Sequence, residues 1–218
     1  MENSSSILAF DVEFNSLTGS VFQIGAAKFR ADGEIEIFNA ITPSMLISCS
    51  EKKVKQRFNG SKSNTILGSF PAILRAFLEF AENSNFILSW GCVDGVVLTK
   101  EAERMCLNLE KEVFTTFFDK FVDLQRVYMK RMKRGGNHLI DALNVFGIEF
   151  VGTPHDAATD AFNTLLVANK MVRNEKAYLS SAYGNSLWSY LSLPYDEWLY
   201  SDDKSSIANY IHFESESA

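Results

Sequence analysis

Cysteine is scarce in this sequence of 218 residues, which contains three cysteines and no C-x-x-C pair. An odd number of widely spaced cysteines argues against a disulfide scaffold and against a zinc–thiolate site. The pattern suits a reducing compartment, and we interpret the cysteines as small buried hydrophobic residues. They are Cys49, Cys92 and Cys106.

The sequence also lacks a hydrophobic stretch that fits a signal peptide or a membrane span. Residues 1–6 are polar, and the apolar run that follows them reaches an acid at Asp11. We therefore expect a soluble, cytoplasmic protein with no membrane partner. Walker loops and the G-x-G-x-x-G, H-E-x-x-H and G-x-S-x-G patterns are absent as well. Their absence disfavours NTPases, dehydrogenases, zinc proteases and serine hydrolases.

Basic residues are fewer than acidic ones: the sequence has 21 Lys and Arg and 27 Asp and Glu, which gives a net charge of −6. Residues 180–218 contribute −5 of this charge, whereas residues 1–179 contribute −1. Two divalent cations held by four acids of residues 1–179 would bring that part to +3, because bound ions can invert a local field. The acidic composition is therefore weak evidence against a polyanionic partner.

The composition is that of a chain that buries a core, with 46% hydrophobic and 22% charged residues, so general disorder is excluded. The length suits one compact domain with appended material, and the 18 Phe indicate a bulky interior. Most of the Tyr and two of the three Trp follow residue 177. We predict a domain at 1–176 and an aromatic, acidic C-terminal extension at 177–218 that is packed on the domain or partly flexible.

Three segments near the start of the chain predict an antiparallel sheet. Residues 7–14 form an apolar run typical of a buried strand. Two further strands are expected at 21–30 and 34–41, separated by a hairpin-like connection at 31–34. The polar and partly basic residues 43–68 are expected to form a connecting excursion.

Helices and strands are expected to alternate after this excursion. Apolar residues at helical spacing predict a helix over 70–81, with Pro71 in its first turn. Three strands followed by alternating elements make an α/β domain with a mixed, five-stranded sheet flanked by helices. The remaining predicted elements are strands at 86–90 and 117–122 and helices after Asp94 and at 124–133, 138–146 and 157–172.

Two acids stand near the end of the first predicted strand. Asp11 and Glu13 are two residues apart, so both side chains project from one face of the strand. Unpaired carboxylates are costly beside buried apolar residues, and two of them about 4 Å apart repel by roughly 4 kcal/mol at an effective dielectric of about 20. A hard divalent cation with oxygen ligands would remove that cost. The alternative is an exposed strand end with ordinary surface acids.

Two more acids and a histidine occupy the edges of later elements. Asp94 follows the fourth predicted strand, where a plain helix N-cap is the alternative role. Asp160 falls about one turn into a helix that begins near Ala157, and His155 stays on the preceding loop. Both side chains can then face one point in space. A lone histidine is more often structural, but this one follows Pro154 in a polar turn, which is a poor core position.

Together these segments resemble the three motifs of the DEDDh 3′–5′ exonuclease family, which includes ribonuclease T and the polymerase III proofreading subunit. The motifs are F-D-V-E-F at 10–14, S-W-G-C-V-D at 89–94 and H-D-A-A-T-D-A at 155–161. The match covers roughly residues 6–175. The S-W-G at 89–91 brings the resemblance nearest to the histone-mRNA and sporulation-inhibitor-like branch.

The resemblance implies a ribonuclease H-like fold and a catalytic site of four acids and one histidine. The four acids would bind two Mg²⁺ or Mn²⁺ ions, and His155 would act as general base. These acids are Asp11, Glu13, Asp94 and Asp160. The implied reaction is hydrolysis of terminal phosphodiesters at the 3′ ends of single-stranded RNA or DNA, with release of nucleoside 5′-monophosphates. The alternative is a non-catalytic nucleic-acid-binding or regulatory module on the same fold.

The residues after the first acidic pair depart from the Thr-Thr-Gly-Leu of many family members. This chain has Phe14-Asn15-Ser16-Leu17 instead. Leu17 matches the wedge position that separates terminal bases, and Phe14 would stack beside the last nucleoside. Asn15 and Trp90 complete the substrate-binding group that the resemblance implies. The departure leaves the choice between RNA and DNA open.

Two other features have a functional and a structural interpretation. Arg126, Lys130 and Lys133 lie on one face of a predicted helix, where they would either track a phosphate backbone or form a solvated face. The aromatic residues of the C-terminal extension would either stack on bases or, as we favour because acids are interleaved with them, clamp the extension onto the domain. The extension would also offer a contact for a homodimer or another protein.

Overall fold

A mixed sheet forms the centre of the computed structural model, which describes residues 6–30, 35–43, 65–105, 114, 117–132 and 138–178. Its first three strands pair antiparallel in chain order, which confirms the predicted antiparallel sheet. They are β1 (Ser6–Phe14), β2 (Val21–Arg30) and β3 (Ile35–Ile41). The hairpin-like connection predicted at 31–34 lies outside the described residues.

The described residues form a sheet of six strands, one more than the sequence predicted. The later strands are β4 (Thr65–Leu67), β5 (Phe86–Ser89) and β6 (Phe121–Asp123). The order is β4-β3-β2-β1-β5-β6, and β4, β5 and β6 each pair in parallel with a neighbour. The additional strand is β4, in the segment predicted as an excursion. Three residues are too few to show an alternating pattern, so pairing with β3 defines this strand.

Helices follow the strands and cover both faces of the sheet. They are α1 (Phe70–Ala81), α2 (Val93–Arg104), α3 (Leu124–Met132), α4 (Leu139–Val145) and α5 (Ala157–Tyr178). α1 has the predicted bounds, whereas α5 continues past its predicted end at 172 and across the predicted domain boundary. The rest of the predicted extension lies outside the described residues, so that division stays a prediction. None of the described helices is long and apolar enough to cross a membrane.

The fifth predicted strand, at 117–122, is only partly a strand. Residues 117–119 form a helical turn, and β6 begins at Phe121. The ring of Phe117 lies 5.6 Å from that of Phe10 and 5.4 Å from that of Phe77. Aromatic packing in the core, rather than pairing along the sheet, therefore determines the backbone conformation of residues 117–119.

Residues of β1 alternate between two hydrophobic layers. On one face the ring of Phe10 lies 5.4 Å from the ring of Phe77 in α1. On the other face, Ile7 and Ala9 share a buried cluster with Leu165 of α5. A strand that is covered by hydrophobic layers on both faces consists of a continuous run of apolar residues, as the first part of β1 does.

Cys92 is exposed, contrary to the interpretation of the cysteines as buried residues. It lies in the loop between β5 and α2, at the edge of the sheet, and not in either hydrophobic layer. Cys49 and Cys106 lie outside the described residues.

Candidate active site

The acids of β1 lie at the edge where the parallel strands β1 and β5 both end. Asp11 and Glu13 follow Ile7 and Ala9 on the α5 face of β1, close to its carboxyl end. Because β5 runs parallel to β1, the chain leaves β5 at this edge and enters α2 there. Ligands of open α/β sheets bind at the carboxyl ends of the strands.

Asp94 is held against β1 by the first turn of α2. The residue is 7% exposed, and its Oδ1 accepts a hydrogen bond from the backbone N–H of Val12 at 3.4 Å. Asp94 is not the N-cap of the helix, because Cys92 occupies that position and α2 begins at Val93. Its carboxylate therefore faces the neighbouring strand.

α5 reaches the same edge because its first turn lies directly on β2. Gly25 of β2 pairs with Asp11 of β1. A Cβ atom added to Gly25 would lie 2.0 Å from the backbone N of Ala158 and 2.1 Å from the carbonyl C of Ala157. No side chain fits into that space. The glycine allows the start of α5 to lie beside the acids of β1.

His155 and Asp160 meet at the start of α5. The backbone N–H of His155 donates to Oδ2 of Asp160 at 3.0 Å, and His155 has a φ of 62°, a conformation that non-glycine residues adopt rarely. One ligand atom from each of Glu13, His155 and Asp160 lies within 4.8 Å of the other two. The structure therefore brings a loop histidine and a helix acid to the acids of the first strand.

The acids at this edge are costly to ionise. The pKa of Asp11 is raised well above its ordinary value of 3.8, first by burial and then by neighbouring carboxylates. Burial also raises the pKa of Asp94 to about 7, although hydrogen bonds from the backbone lower it. The carboxylates that act on Asp11 are, in decreasing order, Asp94, Asp160, Glu13 and Asp156.

The donor set at this edge fits hard divalent cations. Mg²⁺ and Mn²⁺ prefer carboxylate oxygens as protein ligands. Carboxylates that raise one another's pKa lose that repulsion when a cation binds between them. The candidate ligands are Asp11, Glu13, Asp94 and Asp160, with His155 close to two of them.

The predicted substrate-binding residues occupy different environments. Leu17 is 94% exposed in the turn between β1 and β2. Oδ1 of Asn15 accepts the backbone N–H groups of Leu17 and of the next residue, at 2.9 and 3.2 Å, so Asn15 builds the turn that presents Leu17. Phe14 and Trp90 are partly buried against the two hydrophobic layers. Contact of these four residues with a nucleotide stays a prediction.

Of the three residues in the predicted basic stripe on α3, the structure describes the side chain of one. Arg126 is exposed near the start of this helix. Lys133 and the side chain of Lys130 lie outside the described residues, so the stripe also stays a prediction.

Sequence reasoning did not identify three buried polar residues beside the site, Gln23, Asn39 and Asp156. Oδ1 of Asp156 accepts the backbone N–H of Thr159 at 3.0 Å and thereby caps α5. An acid directly before a predicted helix is a recognisable N-cap signal, so Asp156 could have been found. Gln23 and Asn39 point inward from strands, and no local pattern marks their partners.

Three solved structures with a similar fold are nucleases. The nuclease domain of 3′hExo, a DEDDh family member bound to rAMP, gives a TM-score of 0.60 at 16% identity and covers 79% of this chain and 94% of its own. Cell-death related nuclease 4 (CRN-4) gives 0.56 at 15% identity, with 78% and 64% covered. A 3′-exonuclease that recognises the histone mRNA stem-loop gives 0.56 at 14% identity, with 78% and 82% covered. The chain therefore has the ribonuclease H-like fold of DEDDh nucleases, as predicted.

Sequence similarity points to the same family over part of the chain. ERI1 exoribonuclease 2 of Mus musculus is 38% identical over 88 residues, and that of Homo sapiens is 36% identical over 88 residues. The matched segment covers 40% of this chain and only 12% of each relative. No protein-family model matches the chain. The comparisons confirm the resemblance to DEDDh exonucleases, including the histone-mRNA branch, that the motifs indicated.

Proposed function

We propose that this chain is a 3′–5′ exonuclease that hydrolyses terminal phosphodiesters of single-stranded nucleic acid with the help of divalent metal ions. The observation that carries this proposal is the convergence of Glu13, His155 and Asp160 within 4.8 Å. Two acids with raised pKa values lie beside them, the partly buried Asp11 and the buried Asp94. Buried, interacting acids next to a histidine are the groups that metal-assisted hydrolysis requires.

Two Mg²⁺ or Mn²⁺ ions would be held by the four acids of this edge. When bound, such ions stabilise charge on a phosphate and make a bound water more acidic. Asp11 is the central ligand of the proposal, because its pKa responds to the charges of Glu13, Asp94 and Asp160.

His155 is the proposed general base. It is exposed on the loop before α5, and its backbone N–H is bonded to Asp160. Its imidazole is therefore open to solvent and adjacent to the proposed metal ligands. An imidazole can accept the proton of an attacking water at neutral pH. The product would be a nucleoside 5′-monophosphate.

RNA is the preferred substrate in this proposal. The support comes from similar proteins: the curated relatives are named exoribonucleases, one solved neighbour is bound to rAMP, and another recognises a histone mRNA stem-loop. The turn that presents Leu17 begins directly after β1, so this exposed side chain is the first candidate for contact with the terminal bases.

Single-stranded RNA and DNA oligomers of one sequence, labelled at the 5′ end, test the proposal. With Mg²⁺ or Mn²⁺ we expect labelled products shortened stepwise from the 3′ end, free nucleoside 5′-monophosphates, and faster loss of RNA than of DNA. EDTA should stop the reaction. Asp11→Asn and His155→Ala should each lower the turnover number at least ~100-fold, because they remove a metal ligand and the proton acceptor.

Glu79→Gln is the matched control for these variants. Glu79 is an exposed acid on α1, a helix that carries none of the candidate site residues, so this change should preserve turnover. Oligomer binding without shortening would favour the non-catalytic module. Internal cleavage, or full activity of both site variants, would contradict the proposal.

A further inference from the structure

A buried chain of polar side chains connects the middle of the sheet to the start of α5. Gln23 of β2 is 1% exposed, and its Nε2 donates to Oδ1 of Asn39 at 3.0 Å and to Oδ2 of Asp156 at 3.1 Å. Asn39 and Asp156 are 5% and 4% exposed. Nδ2 of Asn39 continues the chain to Oγ1 of Thr65 at 3.3 Å. The two acceptors fix the orientation of the Gln23 amide.

Asp156 joins β2 to the first turn of α5 through its two carboxylate oxygens. Oδ2 accepts from Gln23, whereas Oδ1 accepts the backbone N–H of Thr159 at 3.0 Å. The backbone carbonyl of Asp156 also accepts the N–H of Asp160 at 2.8 Å. A shift of Asp156 would therefore move the turn that carries Asp160.

The contact between Gln23 and Asp156 also connects the two parts of the candidate site, the acids of β1 and the start of α5. Gln23 pairs with Glu13 across the sheet, and Asp156 directly follows His155 in the chain. His155 is exposed and has a positive φ, and its N–H is bonded to Asp160. Its position therefore depends on the backbone at Asp156.

We propose that Gln23 and Asp156 form an anchor pair, a buried amide–carboxylate contact that positions His155 and Asp160 relative to the acids of β1. The inference rests on the proposed function, and it makes both members of the anchor pair positioning residues. Neither has to touch the substrate. Their contact holds α5 at the distance from β2 at which the loop histidine and the helix acid meet Glu13.

The anchor pair can be tested by exchanging the amide of Gln23 and the carboxylate of Asp156, which keeps one amide and one carboxylate in contact. Gln23→Glu alone places two carboxylates in contact inside the protein, which is unfavourable. Combined with Asp156→Asn, it restores one amide and one carboxylate with their positions exchanged. The new asparagine can still accept from Thr159, and the Asn39 amide can turn its NH₂ group toward the new carboxylate. The double variant should therefore recover the kcat that the Gln23→Glu variant loses.

The measurement compares the full chain with Gln23→Glu and with the double variant on a single-stranded RNA oligomer, at a temperature where each is folded. We expect Gln23→Glu to lower kcat by roughly 10–100-fold with KM within about threefold, the usual cost of losing a residue that orients a metal ligand. The double variant should return to within about threefold of the parent. An unchanged kcat in Gln23→Glu, or no recovery in the double variant, would overturn the proposal.

Two further variants separate positioning from general stability. Gln23→Met has nearly the same shape, breaks the hydrogen bonds and adds no charge, so it should also lower kcat even if Gln23→Glu fails to fold. Ile73→Val removes one methylene from the buried face of α1, in the hydrophobic layer on the opposite side of the sheet from α5, and should lower Tm without changing kcat. A kcat that follows Tm across all these variants would contradict a positioning role.

Mn²⁺ affinity, measured by titration calorimetry, distinguishes failure of this inference from failure of the proposed function. We expect the affinity to fall roughly tenfold in Gln23→Glu and to recover in the double variant. If the parent releases no mononucleotide but shows this pattern, the exonuclease proposal fails and the anchor pair stands. If the parent is active and the affinity is the same in all variants, the anchor pair fails.

Discussion

At the scale of single residues, Asp94 links the stability of the protein to pH. Burial raises its pKa from the ordinary 3.8 to about 7. Between these two values the folded chain holds a proton that the unfolded chain has already lost. The free energy of unfolding must therefore fall as pH rises through this window. The raised pKa of Asp11 acts in the same direction.

Asp94→Asn should weaken this dependence in the metal-free protein. The amide cannot ionise, and its oxygen can still accept the N–H of Val12. We expect the free energy of unfolding at pH 8 to exceed that of the parent by roughly 1–3 kcal/mol, with a smaller difference at pH 5. Urea unfolding in EDTA at both pH values measures it. If the free energy of unfolding changes with pH in the same way in parent and variant, the Asp94 carboxylate is not buried as described.

Residues of the candidate site differ in how well the sequence could identify them. Asp11 and Glu13 are separated by the period of a strand, so their shared face could be predicted from the alternation alone. The contact between Gln23 and Asp156 joins residues 133 positions apart. Such a contact exists only after α5 packs on β2, so nothing in the sequence near either residue indicates it.

At the scale of elements, the contact between α5 and β2 decides whether the site forms. Gly25→Ala would place a methyl group 2.0 Å from the backbone N of Ala158 and 2.1 Å from the carbonyl C of Ala157, far closer than van der Waals contact allows. The helix must then move away from β2. We expect a loss of about 3 kcal/mol in the free energy of unfolding and a loss of RNA hydrolysis at temperatures where the protein is folded.

Gly147→Ala is the comparison for this change. Gly147 has a φ of 65° with open space around it, so alanine there costs about 1–2 kcal/mol through the backbone alone. Turnover should be preserved. If the two variants lose similar amounts of stability and activity, the close approach of α5 to β2 is not what forms the site.

Element length explains which parts of the fold the sequence could predict. α1 spans three turns with a regular apolar repeat, and its bounds were predicted correctly. β4 and β6 are three residues long in the structure, so their patterns carry little information and their neighbours in the sheet define them. The end of α5 was predicted too early because no proline or glycine marks it.

At the scale of the whole molecule, the clustered acids predict stabilisation by divalent cations. Ligand carboxylates must lose their protons before they bind metal, so the effect should be larger at pH 8 than at pH 5. At a metal concentration of about 100 times Kd the gain is roughly 2.7 kcal/mol, or about 5–10 °C in Tm for a chain of this size. Thermal unfolding with Mg²⁺ or Mn²⁺ measures it.

Sodium chloride at matched ionic strength is the control, because screening alone also reduces repulsion between carboxylates. It should raise Tm by much less than the divalent salt. Equal shifts with both salts would show that the acids respond to ionic strength and hold no cation.

Assembly of the site from distant parts of the chain affects when the proposed activity can arise. Asp11 is in the first strand, whereas His155 and Asp160 are at the start of the last described helix. A ribosome therefore completes β1 long before it adds the histidine. A translation product that ends before residue 155 lacks His155 and Asp160, the proposed general base and one proposed metal ligand. In the proposed mechanism the start of α5 must dock on β2 before the site is complete, so we expect prematurely terminated polypeptides to leave RNA intact.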